Sequence, residues 1–407
     1  MKRRDLIKCL SITPVAGAAI LSDVSAKESE IQKSTKKPKR DYFKELGVRP
    51  FINAAGTYTA MTASLMRPET LEAIRYSADK FCMIDELQDK VGEKIAEITK
   101  AEAAVVTSGA FAALTLGMAG ILTGMDNNKV KQLPKLEGTG MKTEVICQKG
   151  HAIGYNQALT NCGVKIVMIE TMEELLKAIN PNTASMHFLH VNADRGQIMH
   201  EEWIAVAKKH GIPATIDIAA DVPPVSNLWR FNEMGFSFVA ISGGKALRGP
   251  QSAGLLMGKK EIIAAARLSM FPRGETIGRG MKVNKEEILG MYVALEEFVK
   301  IDHDAEYQLF QQRIDRIKAA VEEVEGVKTK VSHPKLGNCT PTLDITWDAT
   351  KIKKDGNQLR AALRSGEPSI QFVGGKDNIG VTAWMLQEGE DKIVAARLKE
   401  ELQKASV

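Results

Sequence analysis

The chain has 407 residues, 44% hydrophobic and 26% charged, with 33 glycines and 14 prolines. At about 150 residues per domain this allows two or three domains with an ample core, and it excludes a disordered, collagen-like or multi-span membrane chain. The formal net charge of +5 demands no nucleic-acid partner, and five cysteines without a CxxC pair argue against a disulfide or zinc framework.

Residues 1–26 read as a leader. Lys2-Arg3-Arg4-Asp5-Leu6-Ile7-Lys8 precedes a mildly apolar run from Leu10 to Leu21, and Val24-Ser25-Ala26 has the small-x-small form of a cleavage site. The paired arginines resemble a twin-arginine export signal, and the apolar run is too short and too weak for stable membrane insertion once the leader is cleaved. The expected location is therefore the periplasm or another exported compartment. Residues 27–41 are polar and cation-rich, a solvated linker.

From residue 100 to 260, short β-branched runs alternate with stretches of helical spacing, the pattern of a layered α/β sheet. Seven strands are expected: Ala104–Thr107, Glu144–Gln148, Val164–Ile169, Ser185–Val191, Ala214–Ile218, Phe238–Ile241 and Gly254–Met257. An apolar helix is expected over Phe111–Ile121, and Leu295–Val324 reads as one long or two linked amphipathic helices. Beyond Gly326 come a strand over Thr342–Trp347, a helix near Gln358–Arg364, a strand near Ile379–Ala383 and a terminal helix over Glu390–Lys404. We expect a large domain over 42–295 and a smaller C-terminal α+β domain over 296–407.

Several motifs fail on their own terms. The segment Gly274 to Gly280 has the wrong spacing for a dinucleotide loop and no preceding strand. Gly244-Lys245 lacks the upstream glycine and the following hydroxyl of a P-loop. His187 and His190 fall on opposite faces of one strand, which suits structural roles better than shared ligation of a metal. No metal site is expected.

What remains is a set of polar residues placed just after predicted strands, the edge at which open α/β sheets bind ligands. Ser108-Gly109-Ala110 opens an Ala- and Gly-rich helix whose N-terminal N–H groups suit an anion, although Ser-Gly before a helix is also a plain cap. Lys149-Gly150-His151 follows the second strand. Asp217 is a carboxylate inside an apolar strand, costly unless it is paired. Lys245 lies on a Gly-Gly turn after Phe238–Ile241, where low-dielectric walls would lower its pKa and the glycines would let the backbone approach a ligand. A carboxylate at one strand end and a lysine 28 positions later at the next is the arrangement that pyridoxal 5'-phosphate (PLP) calls for.

Ser242-Gly-Gly-Lys245-Ala-Leu-Arg248-Gly-Pro-Gln251, with Asp217 and the Ser108-Gly-Ala110 helix start, resembles the fold-type I PLP-dependent enzymes. Within them the chain is similar to the group that contains L-seryl-tRNA selenium transferase (selenocysteine synthase) and D-glucosaminate-6-phosphate ammonia-lyase. The likeness runs from about Tyr42 to the C-terminus and includes Gly47-Val-Arg-Pro50, Ile52-Asn53-Ala-Ala-Gly56-Thr57, Gly278-Arg-Gly-Met-Lys282 and Arg364-Ser-Gly-Glu-Pro368. It implies the fold-type I transferase fold, with a seven-stranded, mostly parallel sheet in the large domain.

It also implies roles. Lys245 would be the Schiff-base lysine and Asp217 the partner of the pyridine nitrogen; Ser108, Gly109, Ala110 and Ser242 would hold the phosphate, and His151 would lie on the ring. Arg248, Arg364 and Asn53 would meet the substrate. A homodimer or larger even assembly is implied, with the segment from Arg273 to Lys282 near a neighbour's cofactor.

The linker is short where the selenium-transfer branch has a helical tRNA-binding region. The last strand, Ile379-Gly-Val-Thr-Ala-Trp384-Met385, also lacks the arginine expected of that branch. The expected activity is accordingly a PLP-dependent lyase acting on an amino acid or amino-sugar acid by α-proton abstraction and β-elimination. Selenium or sulfur transfer, transamination, racemisation and a non-catalytic binding role are the alternatives.

Overall fold

A computed structural model describes residues 40–407; the leader and nearly all of the linker lie outside the described residues. Arg40–Pro50 is a unit of its own. In it, Asp41 caps the short helix Tyr42–Leu46 by accepting from Lys44 N at 3.0 Å, and Gly47 ends the helix in the left-handed conformation.

From Phe51 onward there are twelve strands. We number them β1 (Ile52–Asn53), β2 (Ala103–Thr107), β3 (Glu144–Gln148), β4 (Lys165–Ile169), β5 (Thr183–Leu189), β6 (Ala214–Asp217), β7 (Phe238–Ser242), β8 (Gly254–Gly258), β9 (Val327–Ser332), β10 (Thr342–Trp347), β11 (Ile370–Gln371) and β12 (Ile379–Thr382). Strands β2 to β8 form one seven-stranded sheet in the order β2-β8-β7-β6-β5-β3-β4. All its pairings are parallel except those of β8, which runs antiparallel to both β2 and β7. Every residue of β5, β6 and β8 is buried, as helices on both faces of a parallel sheet require. The alternating sequence pattern predicts these seven strands in an α/β sheet, and the family resemblance implies their mostly parallel arrangement.

Two clusters of buried apolar side chains organise the rest. The larger runs from Val91 to Phe298 and encloses the sheet. The smaller joins the helix His303–Glu322, the antiparallel sheet β12-β10-β9 and the helices Gly356–Ser365 and Glu390–Lys404. Ile52 and Ala54 belong to this second cluster, because β1 pairs in parallel with β11. The long helical stretch is two helices, Lys285–Lys300 and His303–Glu322, divided where Asp302 accepts from Ala305 N and starts a new helix. No helix among the described residues is long and apolar enough to cross a membrane.

Candidate active site

Lys245 and Asp217 line one cavity. Its volume is about 420 Å3, and it lies at the C-terminal ends of β2, β6 and β7. Ser108, Gly109, Ala110 and Ser242 share its wall, so six of the residues singled out from the sequence come together in space.

The anion end is built by the helix Gly109–Thr123. Gly109 has φ +83, a left-handed conformation that glycine adopts without strain. Ser108 precedes the helix, and its side chain makes no capping bond, so the first helical N–H groups are left to face the cavity with the positive end of the helix dipole behind them. Strand β8 crowds in from below: a Cβ on Gly254 would lie 2.5 Å from the carbonyl carbon of Gly109.

At the other end Asp217 is fully buried, and burial pushes its carboxyl pKa upward against the weaker opposing effects of the Ala219 N–H and the Lys245 charge. Its Oδ1 accepts from Ala219 N at 2.8 Å. Burial likewise lowers the Lys245 amine, while the charges of Asp217 and Asp221 raise it. A buried carboxylate of this kind fits the protonated nitrogen of a pyridine ring, and a desolvated lysine amine fits an aldehyde. The residues present therefore fit PLP, for which Ser108, Gly109, Ala110 and Ser242 would be the phosphate-holding wall.

The turn that carries Lys245 is clamped by protein. Gly243 N donates to Ala253 O at 2.9 Å, Ser64 Oγ donates to Gly244 O at 2.7 Å, and Arg248 N donates to Lys245 O at 3.0 Å. A Cβ on Gly243 would meet Met291 Sδ at 2.1 Å, and one on Gly244 would meet Gln251 Cα at 2.5 Å. The sequence reading expected the two glycines to admit a ligand; the close approach seen here is to Met291 and Gln251.

Four further expectations need correction. His151 does not line the cavity: it is fully buried, its Nδ1 accepts from Leu189 N at 3.3 Å, its Nε2 has no partner, and its ring stands edge-on to Phe188 at 4.4 Å. Burial drops its pKa to about 4, so it is neutral. Tyr155, four residues on, lines the cavity instead. Arg248 is outside the lining of this cavity and donates to Trp384 O at 3.0 Å. Arg364 is exposed near the end of its helix and outside the cavity lining. Asn53 makes an Asx turn, accepting from Ala55 N and Gly56 N and donating to Gly56 O, all at 3.0 Å; it shapes the strand exit and does not face a ligand.

A second cavity of about 470 Å3 shares Thr59, Tyr155 and Lys245 with the first and extends to Gly337, Thr382 and Trp384. Behind it lies Asp221, which the sequence reading passed over. It is buried, its Oδ1 accepts from Gly337 N at 2.9 Å, its Oδ2 has no partner, and burial together with Asp217 raises its pKa to about 7. Among the described residues no group of three or more His, Cys, Asp or Glu could hold a metal ion.

Comparison with known proteins gives a coherent set. The profile of the family described as aminotransferase class-V matches residues 87–340. A D-glucosaminate-6-phosphate ammonia lyase of Salmonella typhimurium is 27% identical over 372 residues, covering 88% of this chain and 97% of its own. A 5'-C-glycyluridine monooxygenase-decarboxylase of a Streptomyces species is 25% identical, covering 88% and 91%. An L-seryl-tRNA(Sec) selenium transferase of Caldanaerobacter subterraneus is 23% identical, covering 88% and 83%. A solved structure of D-glucosaminate-6-phosphate ammonia-lyase superposes with a TM-score of 0.79 at 26% identity, covering 90% of this chain and all of that one.

Proposed function

The chain belongs to the class-V aminotransferase family, and from that premise we propose that it is a PLP-dependent lyase that releases ammonia and a 2-oxo acid from a β-hydroxylated amino acid or amino-sugar acid. The observation that carries this reading is the single cavity holding Lys245 and Asp217 against an uncapped helix N-terminus. Similarity to the ammonia lyase across nearly all of both chains supports it.

PLP, when bound, supplies an electron-withdrawing ring that makes the α-hydrogen of an attached amino acid acidic. The chain's own residues do the rest. Asp217 holds charge where the ring nitrogen would lie. Ser242 and the N–H groups at Ser108–Ala110 hold the phosphate. Lys245, its pKa lowered by burial, is placed to take the α-proton, after which the β-hydroxyl leaves as water. Overall the hydroxylated amino acid becomes a 2-oxo acid and ammonia, with no oxidant required.

The test is Lys245→Ala. The purified parent protein should show visible cofactor absorbance and release 2-oxo acid; the variant should lose the lysine-linked absorbance and at least about 10^3-fold in turnover. A fully active variant would refute the proposal.

We further propose that residues 1–26 direct export and that the enzyme works outside the cytoplasm, on the strength of Arg3-Arg4 and the Val24-Ser25-Ala26 site. Changing Arg3 and Arg4 to lysine together should leave the protein in the cytoplasmic fraction; unchanged export would count against a twin-arginine route.

A further inference from the structure

The second cavity adjoins the first at Lys245, and its wall carries two polar side-chain atoms that no protein group satisfies. Trp384 is 3% exposed, and its Nε1 has no hydrogen-bond partner; Thr382 Oγ1, two residues earlier and also shielded from solvent, has none either. Both residues line the cavity that contains Lys245. Indole N–H can only donate, and a buried donor left unpaired is costly, so its retention beside a reactive lysine points to a ligand acceptor.

The two atoms converge. A Cβ placed on Gly56 would lie 3.4 Å from Trp384 Nε1 and 3.6 Å from Thr382 Oγ1. Gly56 has φ +117, where a side chain would be strained as well as in the way. Absence of a side chain there keeps the space beside both atoms clear. The segment behind them is fixed: Arg248 donates to Trp384 O at 3.0 Å, and Arg313 donates to Leu386 O at 2.7 Å.

We propose that Thr382 and Trp384 form a subsite for an uncharged hydroxyl on the substrate chain, so that the enzyme prefers unphosphorylated, polyhydroxylated amino acids. This deepens the lyase reading and rests on it. Charge decides against a phosphate. Among the described residues lining the cavity, Lys245 is the only charged side chain, and the proposed reaction already uses it. Asp221, whose carboxyl accepts from the lining residue Gly337 N, adds no cation either. A phosphate dianion would enter without a cation of its own, whereas a hydroxyl oxygen can accept from Trp384 and exchange a hydrogen bond with Thr382 without adding charge.

The test uses the full chain loaded with PLP and four probes. D-Gluconate and lactate carry a hydroxyl in place of the amine, cannot react, and differ in whether further hydroxyls follow; 6-phosphogluconate adds the phosphate; D-glucosaminate reports turnover. By calorimetry D-gluconate should bind at least about tenfold tighter than 6-phosphogluconate. Trp384→Phe and Thr382→Val should each weaken D-gluconate about tenfold and leave lactate unchanged. Thr382→Val changes one atom at the cavity wall, so it stands if the tryptophan variant folds poorly. Tighter binding of 6-phosphogluconate, equal losses for lactate and D-gluconate, or no loss in Thr382→Val would overturn the subsite. Failure of the parent to release 2-oxo acid from D-glucosaminate would strike the lyase reading instead, because the binding comparison needs no reaction.

Discussion

At the scale of single residues the buried carboxyls set the pH behaviour. With its pKa raised to about 7, Asp221 keeps its proton in the folded protein through a range in which an unfolded chain loses it near pH 4. The folded state then binds more protons than the unfolded state between about pH 4 and 7, so stability falls as pH rises through that window. The cofactor-free protein should lose roughly 2–4 kcal/mol from this group between about pH 5 and pH 8. Asp221→Asn retains an acceptor for Gly337 N–H and cannot titrate, so thermal melts should show the variant gaining on the parent as pH rises; parallel curves would show that Asp221 ionises as readily folded as unfolded. Asp217 and Lys245 are the charged neighbours of Asp221, so the difference between the two proteins reports the coupled titration of this group rather than Asp221 alone. The same residues explain what could be read beforehand. Asp217 and Lys245 betray themselves by being charged at the ends of apolar runs. Asp221 follows in a stretch that reads as loop, and its role depends on Gly337, 116 positions away. Trp384 and Thr382 read as ordinary strand residues until β1 brings Gly56 against them.

At the scale of elements, the helix Gly109–Thr123 and strand β8 form the part of the scaffold on which the anion end depends. Their contact is backbone to backbone, and a Cβ on Gly254 would sit 2.5 Å from Gly109 C and 2.7 Å from Ala110 N. Gly254→Ala should therefore push the helix start out of line, costing about 1–3 kcal/mol of stability and weakening PLP retention in dialysis by at least about tenfold. Gly274→Ala, where nothing lies within 4 Å of the added carbon, serves as the control, and equal retention in both variants would show that the helix start tolerates displacement. The seven sheet strands were legible because each carries a short, largely apolar stretch set between segments of helical spacing or turn residues. Strand β9 was not: Val-Lys-Thr-Lys-Val-Ser alternates half-buried and exposed and sits at the edge of its sheet with few apolar residues. The two-residue pair β1–β11 has no local signal, since its register joins Ile52 to Ile370.

For the whole molecule, the resemblance implies an even oligomer, and one stretch of surface gives that expectation a physical basis. Between Leu65 and Met83, large apolar side chains stand in solvent: Leu65 is 61% exposed, Tyr76 61%, Met83 72%, and Phe81 completely. Apolar exposure of this extent is unfavourable for a lone chain in water and is relieved when another surface covers it. The stretch is continuous in sequence with Tyr58 and Thr59, which line the cavities, so a second copy seated there would also narrow the entrance to Lys245. We therefore expect sedimentation to give a mass of at least twice the chain's. Phe81→Asp combined with Met83→Asp should drive the protein toward monomer and lower kcat/KM about tenfold or more, while the individual chain stays folded, because neither side chain packs into a core. A double variant that sediments as the parent does would place the contact elsewhere, and a fully active monomer would show that one chain encloses its own site.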